Sequence, residues 1–342
     1  MDILVIGGTR FFGYQTVLTL VEDGHDLAVF TRGRRQADLP TPVRHIIGDR
    51  ENEEDLERAA AEREWDVVWD NINRTPEDAR SAIRVFGSRC DLFIYTSTLA
   101  VYTVCEGIYN PYREEDLERG RPMEERRGRY PYDYGLDRRM SEMLFRQAYE
   151  EHGFPYVSIR LPVVIGPRDY SLRAWAYWRR ILEGGPLILP DGGAEMQRPI
   201  YSDDCVQAVR RIIERLGSIE RGRAYNFAGH EIMSLCDFVT ASAEFLARDV
   251  DIADIPATLL ARSGIDPDDL SPFSTWGNHL NSIDRARAEL GFEPTPFEDW
   301  LAPAIEWHLE HSRDADPPGW DLRDDEAKLV ARWARAIRPL RE

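Results

Sequence analysis

The stretch Ile3-Leu-Val-Ile-Gly-Gly-Thr-Arg-Phe-Phe-Gly13 decides the fold of this chain. Its first four residues are apolar and predict a short strand that is buried on both faces. Gly7 and Gly8 permit a tight turn after the strand, and residues 14–22 follow with the apolar spacing of a helix. Strand, glycine turn and helix in this order direct free N–H groups and the positive helix end at a phosphate. The stretch therefore predicts a dinucleotide-binding turn, the alternative being a glycine turn that holds no ligand.

One position of this turn departs from the usual dinucleotide pattern. Arg10 stands where the middle glycine is expected, in the spacing Gly7-x-x-Arg10-x-x-Gly13. A side chain at this point needs room, but a guanidinium can also form charge-assisted hydrogen bonds with a phosphate. We therefore interpret Arg10 as a cofactor contact. The other cofactor contacts expected from the turn are Gly7, Thr9, Phe11, Phe12 and Gly13.

Length, charge and hydropathy limit the classes of function. With 342 residues, the chain can form one large domain or two lobes around a sizeable core. Its net charge of −18 disfavours broad nucleic-acid binding, which needs a positive surface. No apolar run approaches the roughly eighteen residues of a transmembrane helix, so no membrane partner is expected. A small-molecule partner remains, and association into a homodimer is left open.

Cysteine usage and the start of the chain predict a cytoplasmic protein. The four cysteines show no metal-ligand spacing and none of the histidines lies in a metal pattern, so the sequence predicts no metal site. Cysteines of this kind indicate reduced core thiols. The first predicted strand begins at residue 2, which leaves no space for a signal peptide.

The end of the second predicted strand, residues 26–31, selects between the two nicotinamide dinucleotides. A carboxylate there would bind the ribose hydroxyls and repel a 2′-phosphate, but this chain has Thr31 followed by Arg32, Arg34 and Arg35. An arginine cluster suits a 2′-phosphate, because guanidinium groups form bidentate bonds with it. The cluster therefore favours NADP over NAD, the alternative being a solvated basic loop.

Polar residues also follow the third and fourth predicted strands, residues 43–47 and 66–69. Asp49 and Arg50 follow the third strand, where an acidic side chain can meet the adenine amino group, and Asn71 follows the fourth. The carboxyl ends of parallel strands are where α/β sheets bind ligands. Strands alternate with helices through short connections. The chain is therefore expected to have an α/β fold of the Rossmann type, a doubly wound parallel sheet with a smaller C-terminal substrate lobe.

Two later stretches predict acid/base chemistry. The fifth strand, predicted at residues 92–95, is followed at its carboxyl end by Thr96-Ser97-Thr98, where a hydroxyl beside the nicotinamide can hold a reacting oxygen, although such runs more often form turns. Tyr134 and Arg138 are four residues apart and therefore lie on one helix face. A cation in that place favours the phenolate, so that Tyr134 can exchange a proton and Arg138 can position a ribose. Tyr130 and Tyr132 are competing tyrosines, but neither has both a cation four residues on and a glycine after it.

The glycine turn, the Thr-Ser-Thr strand end and the Tyr134-Gly-x-x-Arg138-x-x-x-Glu142 helix together resemble the extended short-chain dehydrogenase/reductases, the NAD-dependent epimerase/dehydratase family. The resemblance covers about residues 1–310 and implies a nicotinamide dinucleotide and a nucleotide-sugar substrate. It implies that Thr98 is the catalytic Ser/Thr, that Tyr134 is the catalytic tyrosine and that Arg138 takes the place of the catalytic lysine. Lys328 is the only lysine of the chain.

The same resemblance extends to the substrate side. It implies that Pro162 and Val163 meet the nicotinamide amide and that Arg198 binds the substrate diphosphate. Arg179 lies in a helix that interleaves arginines with aromatic residues, so that it is expected to bind substrate, unless this helix covers a lobe interface. The resemblance divides the chain into a dinucleotide-binding domain of residues 1–167 (with strands from 198–229 returning to it), a mainly substrate-binding lobe of residues 168–310, and a helical tail of residues 311–342.

The positions at which this chain departs from the family pattern narrow the expected reaction and also indicate an alternative function. Leu99 and Ala100 follow Thr98 where the 4,6-dehydratases of the family carry an Asp-Glu pair, so dehydration is not expected. The expected function is an NAD(P)-dependent epimerase or reductase for a sugar nucleotide or a related hydroxy/keto compound. The turn variant Gly7-Gly-Thr-Arg10-Phe-Phe-Gly13 is similar to an atypical branch of the family that includes chloroplast stem-loop RNA-binding proteins, and Arg138 in the lysine position cannot relay a proton as lysine might. The alternative is therefore a catalytically quiet dinucleotide-binding or RNA-associated protein.

Overall fold

A seven-stranded parallel sheet forms the centre of the molecule. The computed structural model describes residues 1–34, 38–123, 132–270 and 277–341. The strands are β1 (Asp2–Ile6), β2 (Asp26–Thr31), β3 (Arg44–Ile47), β4 (Trp65–Asp70), β5 (Cys90–Thr98), β6 (Tyr156–Leu161) and β7 (Arg223–Asn226). They are arranged in the order β7-β6-β5-β4-β1-β2-β3. This order confirms the doubly wound Rossmann-type sheet.

Helices cover both faces of the sheet because its strands are apolar on both sides. In β1, Ile3 and Val5 join one core cluster and Leu4 and Ile6 join the other. The longer helices are α1 (Phe11–Glu22), α2 (Glu53–Ala61), α3 (Pro76–Phe86), α4 (Tyr132–His152), α5 (Arg173–Glu183), α6 (Ser202–Glu214), α7 (Leu235–Phe245), α8 (Phe297–His311) and α9 (Arg323–Arg341). Helices α1 and α6 bury apolar residues in the first cluster, and α2, α3 and α4 do so in the second.

The strand order reverses at β1, and this reversal places the ligand cleft. Strand β1 pairs with β2 on one side and with β4 on the other. The connections that leave β1 and β4 therefore diverge, and a crevice opens at the carboxyl ends of the strands.

The C-terminal half adds a second core beside the sheet. Apolar residues of α5, α7 and α8 form this core, in which Trp178, Phe238 and Trp300 are buried. Four short strand pairs accompany it: Cys105–Glu106 with Arg121–Pro122, Val164–Ile165 with Ile200–Tyr201, Pro186–Pro190 with Asp251–Ile255, and Met196–Gln197 with Met233–Ser234. The remaining helical segments are Ala100–Thr103, Asp116–Arg119, Ala257–Arg262 and Pro267–Leu270, with single turns at Asp191–Gly193, Ala286–Leu290 and Trp320–Leu322.

One predicted strand boundary differs from the structure. The fifth strand, predicted at residues 92–95, continues to Thr98, because its last residues pair with β6, Thr98 opposite Leu161. Helix α6 begins at Ser202, and Asp203 and Asp204 lie in its first turn. Across the residues that the structure describes, none of the helices combines the length and apolar character needed to cross a membrane.

Candidate functional site

A cleft of about 1320 Å³ runs along the carboxyl ends of the sheet strands. Ligand pockets for one drug-sized molecule are typically about 300–1,000 Å³, so this cleft has room for more than one such molecule. The sheet order places the ends of β2, β1, β4, β5 and β6 in a row along it. Neighbouring strands lie about 4.8 Å apart, so the row extends over roughly 19 Å and suits an elongated ligand.

The glycine turn after β1 fits a diphosphate. Gly7 and Gly8 have φ angles of 101° and 78° and line the cleft. A β-carbon on Gly8 would lie 2.7 Å from Cγ1 of Val5, and one on Gly13 would lie 2.9 Å from Nδ2 of Asn71. No described side chain caps the N-terminus of α1. The first amide groups of this helix are therefore oriented for an anion, as the turn sequence predicts.

Arg10 directly precedes α1 and contacts a tyrosine of the loop after β6. Its guanidinium carbon lies 3.3 Å from the centroid of the Tyr170 ring, and both residues line the cleft. A second cation–π contact has the cation on the loop after β6 and the ring on α1. The guanidinium carbon of Arg168 lies 4.7 Å from the centroid of the Tyr14 ring. The space that Arg10 needs is thus provided by the loop that follows Gly166.

The end of the cleft beside β2 contains the arginine cluster. Thr31, Arg32 and Arg34 line it, and the Thr31 hydroxyl lies 2.6 Å from Nε2 of His45. Arg32 and Arg34 are exposed, which leaves their guanidinium groups accessible to a 2′-phosphate. Arg35 lies outside the described residues.

Asp49 and Arg50 also line this end, but they differ in what their side chains do. The Arg50 guanidinium is buried and donates to the Asp70 carboxylate at 2.8 Å, to the Ser81 hydroxyl at 2.9 Å and to the Asp78 carbonyl at 2.6 Å. Its bonds therefore hold the end of β4 against α3. The Arg50 guanidinium is therefore used within the protein and does not point into the cleft as a cofactor contact. The Asp49 carboxylate accepts the Glu51 N–H at 3.2 Å, and no other partner of it is seen within the described ranges.

All three predicted catalytic residues, Thr98, Tyr134 and Arg138, belong to the cleft lining. The buried Arg138 guanidinium lies between two tyrosine rings, 5.1 Å from the centroid of Tyr95 and 5.6 Å from that of Tyr134, and donates to the Thr96 carbonyl. Burial lowers the pKa of Arg138, but the ionised forms of Tyr95 and Tyr134 and the nearby carboxylates outweigh burial and raise its pKa overall. Arg138 therefore stays a cation beside Tyr134.

A glycine brings the tyrosine helix onto the turn that follows Thr98. A β-carbon on Gly135 would lie 2.6 Å from Cγ1 of Val104 and 2.7 Å from the carbonyl oxygen of Ala100. Helix α4 can therefore approach the Ala100–Thr103 segment only because residue 135 has no side chain.

The competing tyrosines do not occupy this place. The Tyr132 hydroxyl donates to the Met123 carbonyl at 2.6 Å, and Tyr132 is not among the residues that line the cleft. Tyr130 lies outside the described residues.

A buried ion pair, which no local sequence pattern predicts, stabilises the carboxyl ends of β5 and β6. Arg160 donates to both carboxylate oxygens of Glu142, with a shortest distance of 2.7 Å, and both side chains are 3% exposed. The Ser97 hydroxyl donates to the same carboxylate, and Ser97 pairs with Arg160 between β5 and β6. The network thus fixes the register of the two strands that carry Thr98 and Pro162.

The substrate side brings together most, but not all, of its predicted residues. Pro162, Val163 and Arg198 line the cleft beyond Thr98. Arg198 donates to the carbonyls of Gly229 at 2.8 Å and Asn281 at 3.0 Å. Burial and the neighbouring Arg287 lower the pKa of Arg198, although an arginine remains charged at neutral pH.

The structure does not bring Arg179 to the cleft. Its guanidinium donates to the Ala315 carbonyl at 2.6 Å and to Asp316 at 2.7 Å, and it lies over the ring of Trp320. Arg179 therefore fastens the C-terminal segment to α5. The pattern of arginines and aromatic residues in this helix corresponds to the alternative that the sequence left open, the covering of an interface.

Several cleft residues were absent from the sequence prediction. They follow β6 or lie late in the chain: Asp169, Tyr170, Ser171, Arg173, Gln197, Gly277 and His279. Only the polar run after the Gly166-Pro167 exit of β6 could have indicated part of this set. In the part of the chain that the structure describes, no three His, Cys, Asp and Glu side chains are grouped so as to hold a metal ion.

Comparison with known proteins agrees with this architecture. The UDP-glucose 4-epimerase of Thermotoga maritima, solved with UDP-glucose, superposes with a TM-score of 0.72 at 19% identity over 91% of this chain and 99% of that one. The dTDP-glucose 4,6-dehydratase of Bacillus anthracis, solved with NAD, gives a TM-score of 0.71 at 18% identity over 91% and 97%. These likenesses establish the shared fold.

Comparisons at the sequence level give one relative and one family. The chloroplast stem-loop binding protein of 41 kDa b from Arabidopsis thaliana is 24% identical over an alignment of 257 residues that covers 71% of this chain and 62% of that protein. The chain thus matches less than two thirds of that relative's length. The model of the NAD dependent epimerase/dehydratase family matches residues 3–228. Since this match includes the glycine turn, the Thr98 strand end and the Tyr134 helix, the chain belongs to the NAD-dependent epimerase/dehydratase family.

Proposed function

We propose that this protein is an NAD(P)-dependent epimerase or reductase that acts on a nucleotide sugar or a related hydroxy/keto compound. The observation that carries the proposal is the position of Thr98, Tyr134 and Arg138 in the same cleft as the glycine turn. Their residue types are those that proton exchange at a carbinol or carbonyl oxygen requires.

The side chains have separate tasks in the proposed reaction. A nicotinamide dinucleotide supplies reversible hydride acceptance when it is bound. The Tyr134 hydroxyl exchanges the proton of the reacting substrate oxygen, while Arg138 stabilises the negative charge that then develops on the phenol. The Thr98 hydroxyl donates to the same substrate oxygen as charge builds on it. Buried Nε of Arg138 has no partner among the described residues and is assigned to the cofactor ribose.

The glycine turn and the strand ends bind different parts of the cofactor. The Gly7–Gly13 turn and Arg10 hold the diphosphate, Asp49 and Asn71 flank the adenosine, and Pro162 and Val163 meet the nicotinamide amide.

Exposed Arg32 and Arg34 favour NADP by binding a 2′-phosphate. Replacing both arginines by alanine should weaken NADP binding by about tenfold or more and leave NAD binding nearly unchanged. Equal losses for NAD and NADP would contradict the preference.

The proposed substrate class is based on Arg198, a cation that lines the cleft beyond Thr98. Within the described residues, the Arg198 guanidinium donates to backbone carbonyls. No carboxylate of these residues lies within 4.0 Å of it, so its positive charge is not paired there. A diphosphate suits this charge. The related epimerases bind UDP-glucose or UDP-glucuronic acid. We assign the same chemical class, a nucleoside-diphosphate sugar, to this cleft.

Tyr134→Phe tests the proposal against a matched control. The purified protein is scanned for bound nicotinamide and assayed for turnover of UDP-glucose, UDP-glucuronic acid and related nucleotide sugars. Tyr134→Phe should lower kcat by about 100-fold or more, because the proton donor is lost. Tyr132→Phe, which removes a hydroxyl outside the cleft lining, should retain activity within a few-fold. Equal activity of the two variants would refute the assignment of Tyr134.

A second candidate function is carried by one comparison, the 24% identity with a chloroplast stem-loop binding protein. In that case the cleft would hold a dinucleotide without turnover, and the surface would bind RNA. Arg138 in the lysine position is compatible with this candidate, because arginine does not relay a proton. Retention of a stem-loop RNA without turnover of any nucleotide sugar would favour it over the enzyme.

A further inference from the structure

His279 is a cleft residue that the proposed reaction does not use. Its imidazole lines the cleft and is partly exposed there. Nδ1 lies 3.1 Å from the Tyr112 hydroxyl, and the two rings are stacked with centroids 6.1 Å apart. The other ring nitrogen, Nε2, has no hydrogen-bond partner among the residues that the structure describes. A β-carbon on neighbouring Gly277 would lie 3.5 Å from Nε2, so the missing side chain leaves this edge of the ring open.

Backbone bonds fix the segment that carries His279. The Tyr112 N–H donates to the Leu280 carbonyl at 2.8 Å, and the Ser282 N–H donates to the Tyr112 carbonyl at 2.9 Å. On the other side, the Met196 N–H donates to Oδ1 of Asn278 at 2.6 Å. The imidazole is therefore held in position before any ligand binds, which lowers the entropy that binding costs.

His279 also lies close to the diphosphate-binding candidate. Nη1 of Arg198 donates to the carbonyl of Asn281, two residues after His279. Burial lowers the pKa of His279 to about 4 and raises the pKa of Tyr112 to about 12. At neutral pH the imidazole is uncharged and the phenol keeps its proton. A phosphate is therefore drawn to Arg198, and His279 is left to bond an uncharged atom beside it.

We propose that His279, positioned by the Tyr112 hydroxyl, binds an uncharged oxygen that flanks the diphosphate of the nucleotide-sugar substrate. That oxygen belongs either to the base or ribose or to a hydroxyl of the glycosyl group. When Tyr112 donates to Nδ1, Nε2 carries the ring proton and donates it to the substrate oxygen. This inference rests on the proposed function, because only a ligand with a diphosphate on Arg198 brings such an oxygen to the imidazole.

Calorimetric binding of UDP and of UDP-glucose to the cofactor-loaded protein tests the inference. His279→Ala should weaken binding by about 5- to 30-fold, the loss of one hydrogen bond in a sheltered site. A loss shared by UDP and UDP-glucose places the contact on the base or ribose, and a loss confined to UDP-glucose places it on the glycosyl group. His152→Ala, a histidine exposed at the end of α4, is the matched control and should bind as the parent does.

A spectroscopic measurement distinguishes a direct contact between His279 and the substrate from a purely structural role of His279. In protein labelled with ¹⁵N-histidine, the Nε2 resonance of His279 should shift on addition of UDP-glucose. Tyr112→Phe should change the tautomer populations of the imidazole and weaken binding less than His279→Ala does. If the parent protein binds neither UDP nor UDP-glucose, the proposed function fails together with this inference. If the parent binds them but the Nε2 resonance and the affinity of His279→Ala are unchanged, only this inference fails.

Discussion

The Arg10 guanidinium carbon lies 3.3 Å from the centroid of the Tyr170 ring, and this contact joins the glycine turn to the loop after β6. Family members commonly have a glycine at the position of Arg10, where the backbone alone approaches the diphosphate. In this chain the side chain spans the cleft instead, and a reciprocal contact from Arg168 to Tyr14 lies beside it. The two contacts, Arg10–Tyr170 and Arg168–Tyr14, form a clasp between the start of α1 and the loop after β6.

The clasp should slow the release of the cofactor. Tyr170→Leu removes the ring from Arg10 and should raise the dissociation rate by about two- to fivefold, which corresponds to one exposed cation–π contact. Tyr170→Phe keeps the ring and should release the cofactor at the parent rate. Stopped-flow displacement of the bound dinucleotide measures both variants. Equal rates for the leucine and phenylalanine variants would show that the ring does not hold the cofactor.

Gly135 should be intolerant of even one methyl group. Gly135→Ala places a β-carbon 2.6 Å from Val104 and 2.7 Å from the Ala100 carbonyl, so that α4 must move away from the turn after Thr98. We expect a loss of about 1–3 kcal/mol in the free energy of unfolding, and a fall in kcat of at least about tenfold because Tyr134 moves with the helix.

Gly217→Ala provides the control for this prediction, since a β-carbon there meets nothing within 4 Å. Chemical denaturation and the nucleotide-sugar assay are run on both variants. Parent-like activity in Gly135→Ala would show that the approach of α4 to the turn does not position Tyr134.

The features predicted from sequence are those that local spacing encodes. The glycine turn, the alternation of strands with helices and the Tyr134–Arg138 pair each depend on residues a few positions apart. The Glu142–Arg160 pair depends instead on the register between β5 and β6 and on how α4 lies over them, which no local pattern specifies. Glu142 is predicted only as the last position of the Tyr134 motif, and no local pattern indicates its partner Arg160.

The substrate side was predicted less well for a similar reason. Interleaved arginine and tryptophan residues suit a nucleotide and an internal interface equally, and Arg179 lies at the interface because Asp316 and Trp320 return to α5 from the end of the chain. His279 reaches the cleft because its segment pairs with Tyr112, which lies more than 160 residues earlier along the chain. The length of β5 was underestimated because Thr-Ser-Thr has turn propensity, which pairing with β6 overrides.

The Glu142–Arg160 pair should be indispensable for folding. Glu142→Gln leaves the Arg160 guanidinium in the core without a counter-charge, and the free energy of unfolding should fall by about 3–5 kcal/mol. The exposed pair of Arg146 and Glu150, with 2.8 Å between Nε and Oε1, supplies the comparison. Glu150→Gln should cost less than about 0.5 kcal/mol. Urea denaturation of both variants checks the difference, and similar costs would mean that the buried pair is not held as the structure indicates.

Asp204 should make the protein less stable as the pH rises from about 4 to about 6. Its buried carboxylate accepts the Thr295 N–H at 3.1 Å and the Thr295 hydroxyl at 2.7 Å. Burial outweighs these bonds and raises the pKa of Asp204 from 3.8 to about 6. The folded state therefore holds this proton more tightly than the unfolded state does, and the resulting stabilisation, complete below pH 4, is lost as the pH rises to about 6.

Asp204→Asn removes this titration and keeps an acceptor for Thr295. The variant should gain stability over the parent between pH 4 and pH 6.5, by about 1–3 kcal/mol, because the parent must then bury a charge. Asp237, whose pKa is lowered mainly by the Ser234 hydroxyl, should behave in the opposite sense, so that Asp237→Asn loses stability relative to the parent as the pH rises. Denaturant unfolding at a series of pH values measures both differences. A stability difference between Asp204→Asn and the parent that stays constant over this range would contradict the burial of an ionised carboxylate at the start of α6.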